Sequence, residues 1–240
     1  MECYSIDVPD DAPPPPTTTA YPKRAAKARR TRLQILEAAG RRFVAHGYGA
    51  TSLQAIADEA DVAVQTVYAV FGNKRALLQE LLDVAIAGDD EQIAVNQREW
   101  MQAVFSAPTA TERLRAYASA VRAIHERAGD LFGVLEVAAS VDPDLVEFAH
   151  ETDQRRRTGA RSVIEGLTTV GALRPGLTVD RAIDVLWLLN GSGVFRQLVR
   201  RSGWTPDDYE TWLATAMTEQ LLAPTDPPRP RRPARPRAPS

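Results

Sequence analysis

The chain has 240 residues, 44% hydrophobic and 25% charged, with a formal net charge of −2, enough apolar content for one large domain or a small one joined to a larger. Its single cysteine, Cys3, excludes an intrachain disulfide framework or cysteine metal site, and its three scattered histidines, His46, His125 and His150, lack zinc-enzyme spacing. No apolar run approaches the length of a bilayer and no signal peptide is visible, so a cytoplasmic protein with no membrane partner is expected.

Taken in order, residues 1–22 are acidic and proline-rich, with Pro13 to Pro16 in a row. Such a stretch cannot bury apolar surface, and disorder is the expectation. Residues 224–240, PTDPPRPRRPARPRAPS, form a second tail of the same kind, stiffened by proline. Between the tails the charge is uneven. Lys23, Arg24, Lys27, Arg29, Arg30, Arg32, Arg41 and Arg42 crowd into residues 21–42 against Glu37 alone, while the body that follows is acidic. A basic block on an acidic protein suits a polyanion met locally, although the start of a solvated helix looks the same.

Residues 23–223 read as helical throughout. Thr51 with Gln54 and Thr109 with Glu112 fit capping boxes, and Asp142-Pro143 and Thr205-Pro206 place a cap before a proline. Gly47 and Gly171 mark stops. The pattern predicts helices near 26–46, 52–60, 64–70, 74–87, 91–106, 110–128, 130–140, 143–170, 179–200 and 206–222. The expected fold is all-α.

The first of these has Ile35, Leu36, Ala39, Phe43 and Val44 at helical spacing, and the second has Leu53, Ile56, Ala57 and Ala60. After the turn Asp61-Val62-Ala63 comes VQTVYAV, with Val67 and Val70 as its expected buried side. A short helix after a three-residue turn is helix-turn-helix geometry, in which the second helix enters the major groove of DNA.

Residues 31–78 resemble the DNA-binding domain of the TetR family of transcriptional regulators. The resemblance rests on Ile35, Ala38-Ala39, Phe43, Gly47-Tyr48, Ala50-Thr51, Ile56-Ala57, Ala60, Val62, Thr66, Tyr68, Phe71, Lys74 and Leu77-Leu78. It departs at Asp61, where the family has glycine, and at Ala63, where serine caps the recognition helix. Asp tolerates a left-handed turn, whereas Ala63 forfeits about 1 kcal/mol of capping. By chemistry and by resemblance, Gln65 and Thr66 are the expected base readers, with Val64 and Ala69 touching thymine methyls. Tyr68, Lys74, Thr51 and Ser52 are expected at phosphates, and Lys27, Arg29 and Arg30 along the backbone or minor groove. Tyr68 as a core aromatic and Thr51 as a cap alone are the bland alternatives.

The resemblance further implies that residues 75–223 form a larger helical domain for effector binding and dimerisation, after a DNA-binding domain at 23–74. GALRPGLTVDRAIDVLWLL and GWTPDDYETWLATAMTEQLL look like actinobacterial-type members, in which the last two long helices pair between subunits. On these helices Ile183, Trp187, Phe195, Leu198, Tyr209, Trp212, Leu213, Met217 and Leu221 make apolar stripes, which packing within one chain would equally explain. Gly191 and Gly193 mark a kink or close crossing. An effector pocket is expected among Trp100, Met101, Phe105, Tyr117, Val121, Leu131, Phe132, Leu135 and Phe148, all otherwise ordinary core residues. They suit an unidentified apolar or aromatic small molecule, with no cofactor or metal. Arg155-Arg156-Arg157 would attract an anion or simply be a solvated face.

The resulting expectation is a homodimeric, sequence-specific regulator on a near-palindromic double-stranded operator. It is taken as a repressor released by its effector; an activator would look the same. No nucleophile–base set or phosphate loop supports an enzyme, and Asp89-Asp90-Glu91 reads as an acid cluster at a helix start.

Overall fold

The computed structural model describes residues 20–91 and 93–224. The expected tails at 1–19 and 225–240 lie outside the described residues, while residues 20–22 are already helical. Among the described residues ten α-helices follow one another: α1 (Ala20–Ala50), α2 (Leu53–Glu59), α3 (Val64–Phe71), α4 (Lys74–Ala87), α5 (Glu99–Ser106), α6 (Ala110–Ala139), α7 (Pro143–Thr169), α8 (Val179–Leu189), α9 (Ser192–Phe195) and α10 (Pro206–Leu221). No named strand occurs among the described residues; one isolated bridge joins Leu173 to Leu222.

Local chemistry explains most boundaries. Gly47 leaves helical geometry at φ 79° and interrupts α1 as expected. Capping boxes at Thr109–Glu112 and Thr205–Asp208 open α6 and α10, and Asp142 caps α7 ahead of Pro143. The cap of α2 is Ser52, which accepts from the Ala55 backbone N–H at 3.1 Å, rather than Thr51 as the sequence suggested. Thr51 is buried, and its hydroxyl donates to the Gly47 carbonyl at 2.8 Å. In the turn, Asp61 adopts φ 52° and is the non-glycine residue with positive φ among the described residues.

The structure departs from the expected helices in three places. The segment 91–106 is helical only from Glu99, after a short 3-10 turn at Val95–Gln97. Arg98 holds the preceding loop open by donating to Asp89 Oδ2 at 2.6 Å and the Glu91 carbonyl at 3.1 Å. The expected break near Gly129 is absent, and α6 runs on for 30 residues. Its glycines serve close packing, because a Cβ on Gly129 would lie 3.3 Å from the Phe195 ring and one on Gly133 would meet the Arg196 guanidinium. The segment 179–200 breaks at Asn190–Gly191 and resumes as α9, which passes into a π-helical stretch at Arg196–Arg201.

Two hydrophobic cores result. The first joins Ile35, Phe43, Ile56, Val67, Leu77 and Leu78 of α1–α4 to Leu131, Leu135 and Phe148 of α6 and α7. The second packs Tyr117, Val121, Ile183, Leu186, Phe195 and Tyr209 between α5–α10. Helix α6 contributes to both. Val44 and Val70, expected inside, are exposed at 49% and 41%; Phe71, not Val70, shares the inner face of α3 with Val67.

An eight-residue helix cannot persist alone. Helix α3 is held by burial of Val67 and Phe71, about 1.5–3 kcal/mol each, and its first residue lacks a side-chain cap at Ala63. Ala63→Ser is therefore expected to raise unfolding stability by about 1 kcal/mol, read as a higher urea midpoint at unchanged slope.

Candidate nucleic-acid interface and effector cavity

With Val67 and Phe71 turned inward, α3 shows the rest of its surface to solvent. Gln65 and Ala69 are exposed, Tyr68 is 54% exposed, and Val64 and Thr66 are half-buried. Tyr68 is thus not a core aromatic. The helix presents an amide, a hydroxyl, a phenol and small apolar groups together, a combination able to meet both base edges and phosphates. Ser52 is exposed beside its capping bond.

Other expected contacts are placed differently. Thr51 is 2% exposed with its hydroxyl directed into the end of α1, so the structure removes it from the contact surface. The Lys74 ammonium donates to the carbonyls of Tyr48 at 2.9 Å and Thr51 at 3.0 Å and lies over the Tyr48 ring. It clamps α4 to the end of α1, leaving one proton uncommitted. Burial lowers its pKa from the usual lysine value. Arg75, overlooked in the sequence, stands exposed on the same first turn of α4. Lys27 and Arg30 are exposed on α1, but Arg29 is bound through two nitrogens by Asp90, with Nε at 2.7 Å from Oδ2. Asp90 and its neighbour Asp89 are thus loop anchors, not the start of a helix. Their carboxyls are held below the usual range by hydrogen bonds from Arg29 and Arg98 respectively.

A cavity of about 1270 Å³ opens between α4–α8 and reaches α1 at Arg32. Its wall includes Trp100, Met101, Phe105, Tyr117, Val121, Phe132 and Leu135, seven of the nine expected residues. Leu131 and Phe148 are corrections: both lie in the first core, where they pack the body against α1–α4. Arg156 reaches the same wall, where it donates to the Trp187 carbonyl, to Asn190 Oδ1 at 2.6 Å and to Asp153 Oδ1 at 2.6 Å. Arg155 and Arg157 pair with Asp83 and Asp184, so the arginine run is tied to α4 and α8. His125 is a wall residue that the sequence did not single out. It touches Phe132, Phe195 and Tyr209, and burial with the charges of Arg156 and Arg196 lowers its pKa to about 3.

The expected dimer residues divide. Ile183, Phe195, Tyr209, Leu213, Met217 and Leu221 are wholly buried within one chain. They belong to the second core and have no surface left for a partner, which corrects that expectation. Trp187, Leu198 and Trp212 remain partly exposed, and Leu188, absent from the sequence reading, is 66% exposed on α8. No group of three or more His, Cys, Asp or Glu among the described residues could hold a metal ion, and no helix there is long and apolar enough to cross a membrane.

Residues 35–81, from α1 into α4, match the family model of the bacterial regulatory proteins of the tetR family. The larger helical part that follows it matches TetR-family structures in fold. NalD, the secondary repressor of the MexAB-OprM multidrug efflux pump in Pseudomonas aeruginosa, superimposes with a TM-score of 0.60 at 22% identity, over 81% of this chain and 97% of its own. The ketosteroid transcriptional regulator KstR2 of Mycobacterium tuberculosis gives 0.55 at 21%, over 80% and 95%. A tetR-family regulatory protein from Rhodococcus RHA1 gives 0.59 at 18%, over 81% and 98%. At these identities the likeness is one of fold. No curated protein matches the chain at a significant level.

The buried imidazole of His125 has a pH consequence. Below the ordinary histidine value of 6.5 the unfolded chain takes a proton that folded His125 refuses until about pH 3. Stability is thus unaffected by this group above pH 6.5 and falls as pH drops through that window, by up to about 1.4 kcal/mol per unit. His125→Gln, which still accepts from Tyr209 but does not titrate, is expected to flatten thermal midpoints measured between pH 7 and 4.

Proposed function

We propose that the protein is a dimeric transcriptional repressor of the TetR type that reads a near-palindromic operator through α3 and is released by a small molecule bound in the cavity. The observation that carries the reading is the outward face of α3, with Gln65, Thr66 and Tyr68 presented on a tetR-family scaffold. One short helix contacts few base pairs, so specificity calls for two copies related by a two-fold axis. Trp187, Leu188, Leu198 and Trp212 on the outer side of α8–α10 are the apolar surface available for that pairing. NalD is a repressor and KstR2 a transcriptional regulator, which agrees with this reading. The actinobacterial character of residues 171–189 and 203–222, the cytoplasmic setting and the absence of enzymatic activity belong to the same proposal.

Release follows from the shared elements. Helix α4 contributes Glu80, Asp83, Val84 and Ile86 to the cavity wall and begins at the Lys74 clamp. Asp90, also on the wall, holds Arg29 of α1. An effector that fits better when α4 has moved favours the DNA-incompetent arrangement by its difference in affinity between the two.

Selection of bound duplexes from a random pool at near-physiological salt is expected to enrich one near-palindrome. Gln65→Ala should weaken that site by about 1–3 kcal/mol per half-site and relax one position in each. A folded dimer that enriches no sequence would sink the reading. Asp90→Asn releases Arg29, and the salt dependence of DNA binding is expected to steepen by about one unit of log–log slope per arginine that reaches a phosphate, two per dimer. An unchanged slope would leave Arg29 outside the interface.

A further inference from the structure

Much of the affinity of a protein for a duplex comes from neutralised phosphates, so a reading helix needs a cation beside it. Few are available. From Phe43 to Leu78, the span of α2 and α3 with their flanks, the only lysine or arginine residues are Lys74 and Arg75, against Asp58, Glu59 and Asp61.

The neighbouring cations are already engaged or distant. Arg41 and Arg42 both pair with Glu59, the Arg41 Nε at 2.7 Å from Oε1. Lys74 turns back on the end of α1, giving two of its three protons to the Tyr48 and Thr51 carbonyls, with its nitrogen 4.2 Å from the centre of the Tyr48 ring. At the other end of α4, Glu80 takes Arg32, and Asp90 just beyond takes Arg29, so α1 runs antiparallel to α4. The free cations of α1, Lys23, Arg24, Lys27 and Arg30, therefore begin far from α3. At 1.5 Å per residue, Arg30 lies about 24 Å along the helix from His46, and phosphates it meets lie well away from those under α3.

Arg75 is placed differently. It is exposed on the first turn of α4, and among the described residues its guanidinium has no hydrogen bond or ion pair. Asp142 and Asp144, where α6 turns into α7, act with it on the Tyr48 phenol, yet neither pairs with it. Gly72 at φ 75° and the Asn73 cap make a tight turn that sets Arg75 close after α3, where Tyr68, Ala69, Gly72 and Asn73 are exposed as well.

We propose that Arg75 is the phosphate contact that anchors α3 on the duplex, and that Lys74 is a positioning residue that fixes the first turn of α4 without touching DNA. This rests on the reading of α3 as the DNA-reading helix. A guanidinium on a phosphate strengthens binding to every duplex alike, whereas Gln65 favours one sequence. The rival is a phosphate held by the third proton of Lys74.

The test follows the affinity of the full chain for the enriched duplex and for a scrambled duplex of the same length, over a series of potassium chloride concentrations. Arg75→Gln is expected to flatten the log–log slope by about 0.9 per subunit and to weaken both duplexes by the same factor, roughly thirtyfold per dimer near physiological salt. Arg75→Lys, which keeps the charge, should restore the slope. Lys74→Met should lower the thermal midpoint and leave the slope as in the unsubstituted chain; if it does not fold, the two Arg75 variants decide alone. An unchanged slope in Arg75→Gln, or a loss confined to the enriched duplex, overturns the assignment while the reading helix stands. A slope that flattens in Lys74→Met gives the contact to Lys74 instead. A folded unsubstituted chain that binds neither duplex overturns both the assignment and the DNA reading.

Discussion

Burial of α6 on more than one side is the constraint on which the rest of the structure depends. A helix enclosed by α1 and α4 at one end and by α5, α9 and α10 at the other keeps only a narrow solvent face, at residues such as Glu112, Arg115, Ser119, Glu126 and Glu136. Its enclosed residues are mostly apolar, small or paired. Gly129 and Gly133 allow Phe195 and Arg196 to approach where a methyl group would collide. His125 remains because it is neutral and has Tyr209 beside it. Because α6 supplies Leu131 and Leu135 to one core and Tyr117 and Val121 to the other, the helix-turn-helix end and the cavity end share a single packed element.

That sharing also accounts for the position of the charged contacts. The rim of the cavity is closed by ion pairs that cross between the two parts, Arg29 and Arg32 of α1 with Asp90, and Arg32 with Glu80 of α4. Exposed pairs of this kind contribute little to stability. Their consequence is geometric, since they tie the basic start of α1 to the wall a ligand would touch. Lys74 acts at the other end of α4, where its ammonium satisfies carbonyls at the frayed end of α1. A displacement of α4 therefore has to be transmitted to the helix-turn-helix or strain these contacts.

Much of the candidate interface was legible in the sequence because helix-turn-helix geometry is local. The turn length, the left-handed Asp61, the missing cap at Ala63 and the outward Gln65 depend on neighbours within a few residues. Thr51 and Arg29 were misplaced because their partners are not. The Thr51 hydroxyl is taken by a carbonyl of the preceding helix, and Arg29 by an acid 61 residues away. The stripes on α8 and α10 were correctly read as apolar, but periodicity does not say what covers an apolar face. Here α6 covers most of the stripe on α10, and α7 with α10 that on α8, leaving Trp187, Leu188, Leu198 and Trp212 outside.

The sequence by itself determined the all-α class, most helix starts, the helix-turn-helix motif and the aromatic character of the cavity, since caps, turns and hydrophobic spacing act over one or two helical turns. Only the tertiary structure decided where long helices break and which way buried polar groups face. Asn190 ends α8 with its side chain fixed by Arg156 and Tyr117 from two other helices. Hydrogen-bond direction in a core is set by partners distant in sequence, and spacing along one chain carries no record of them.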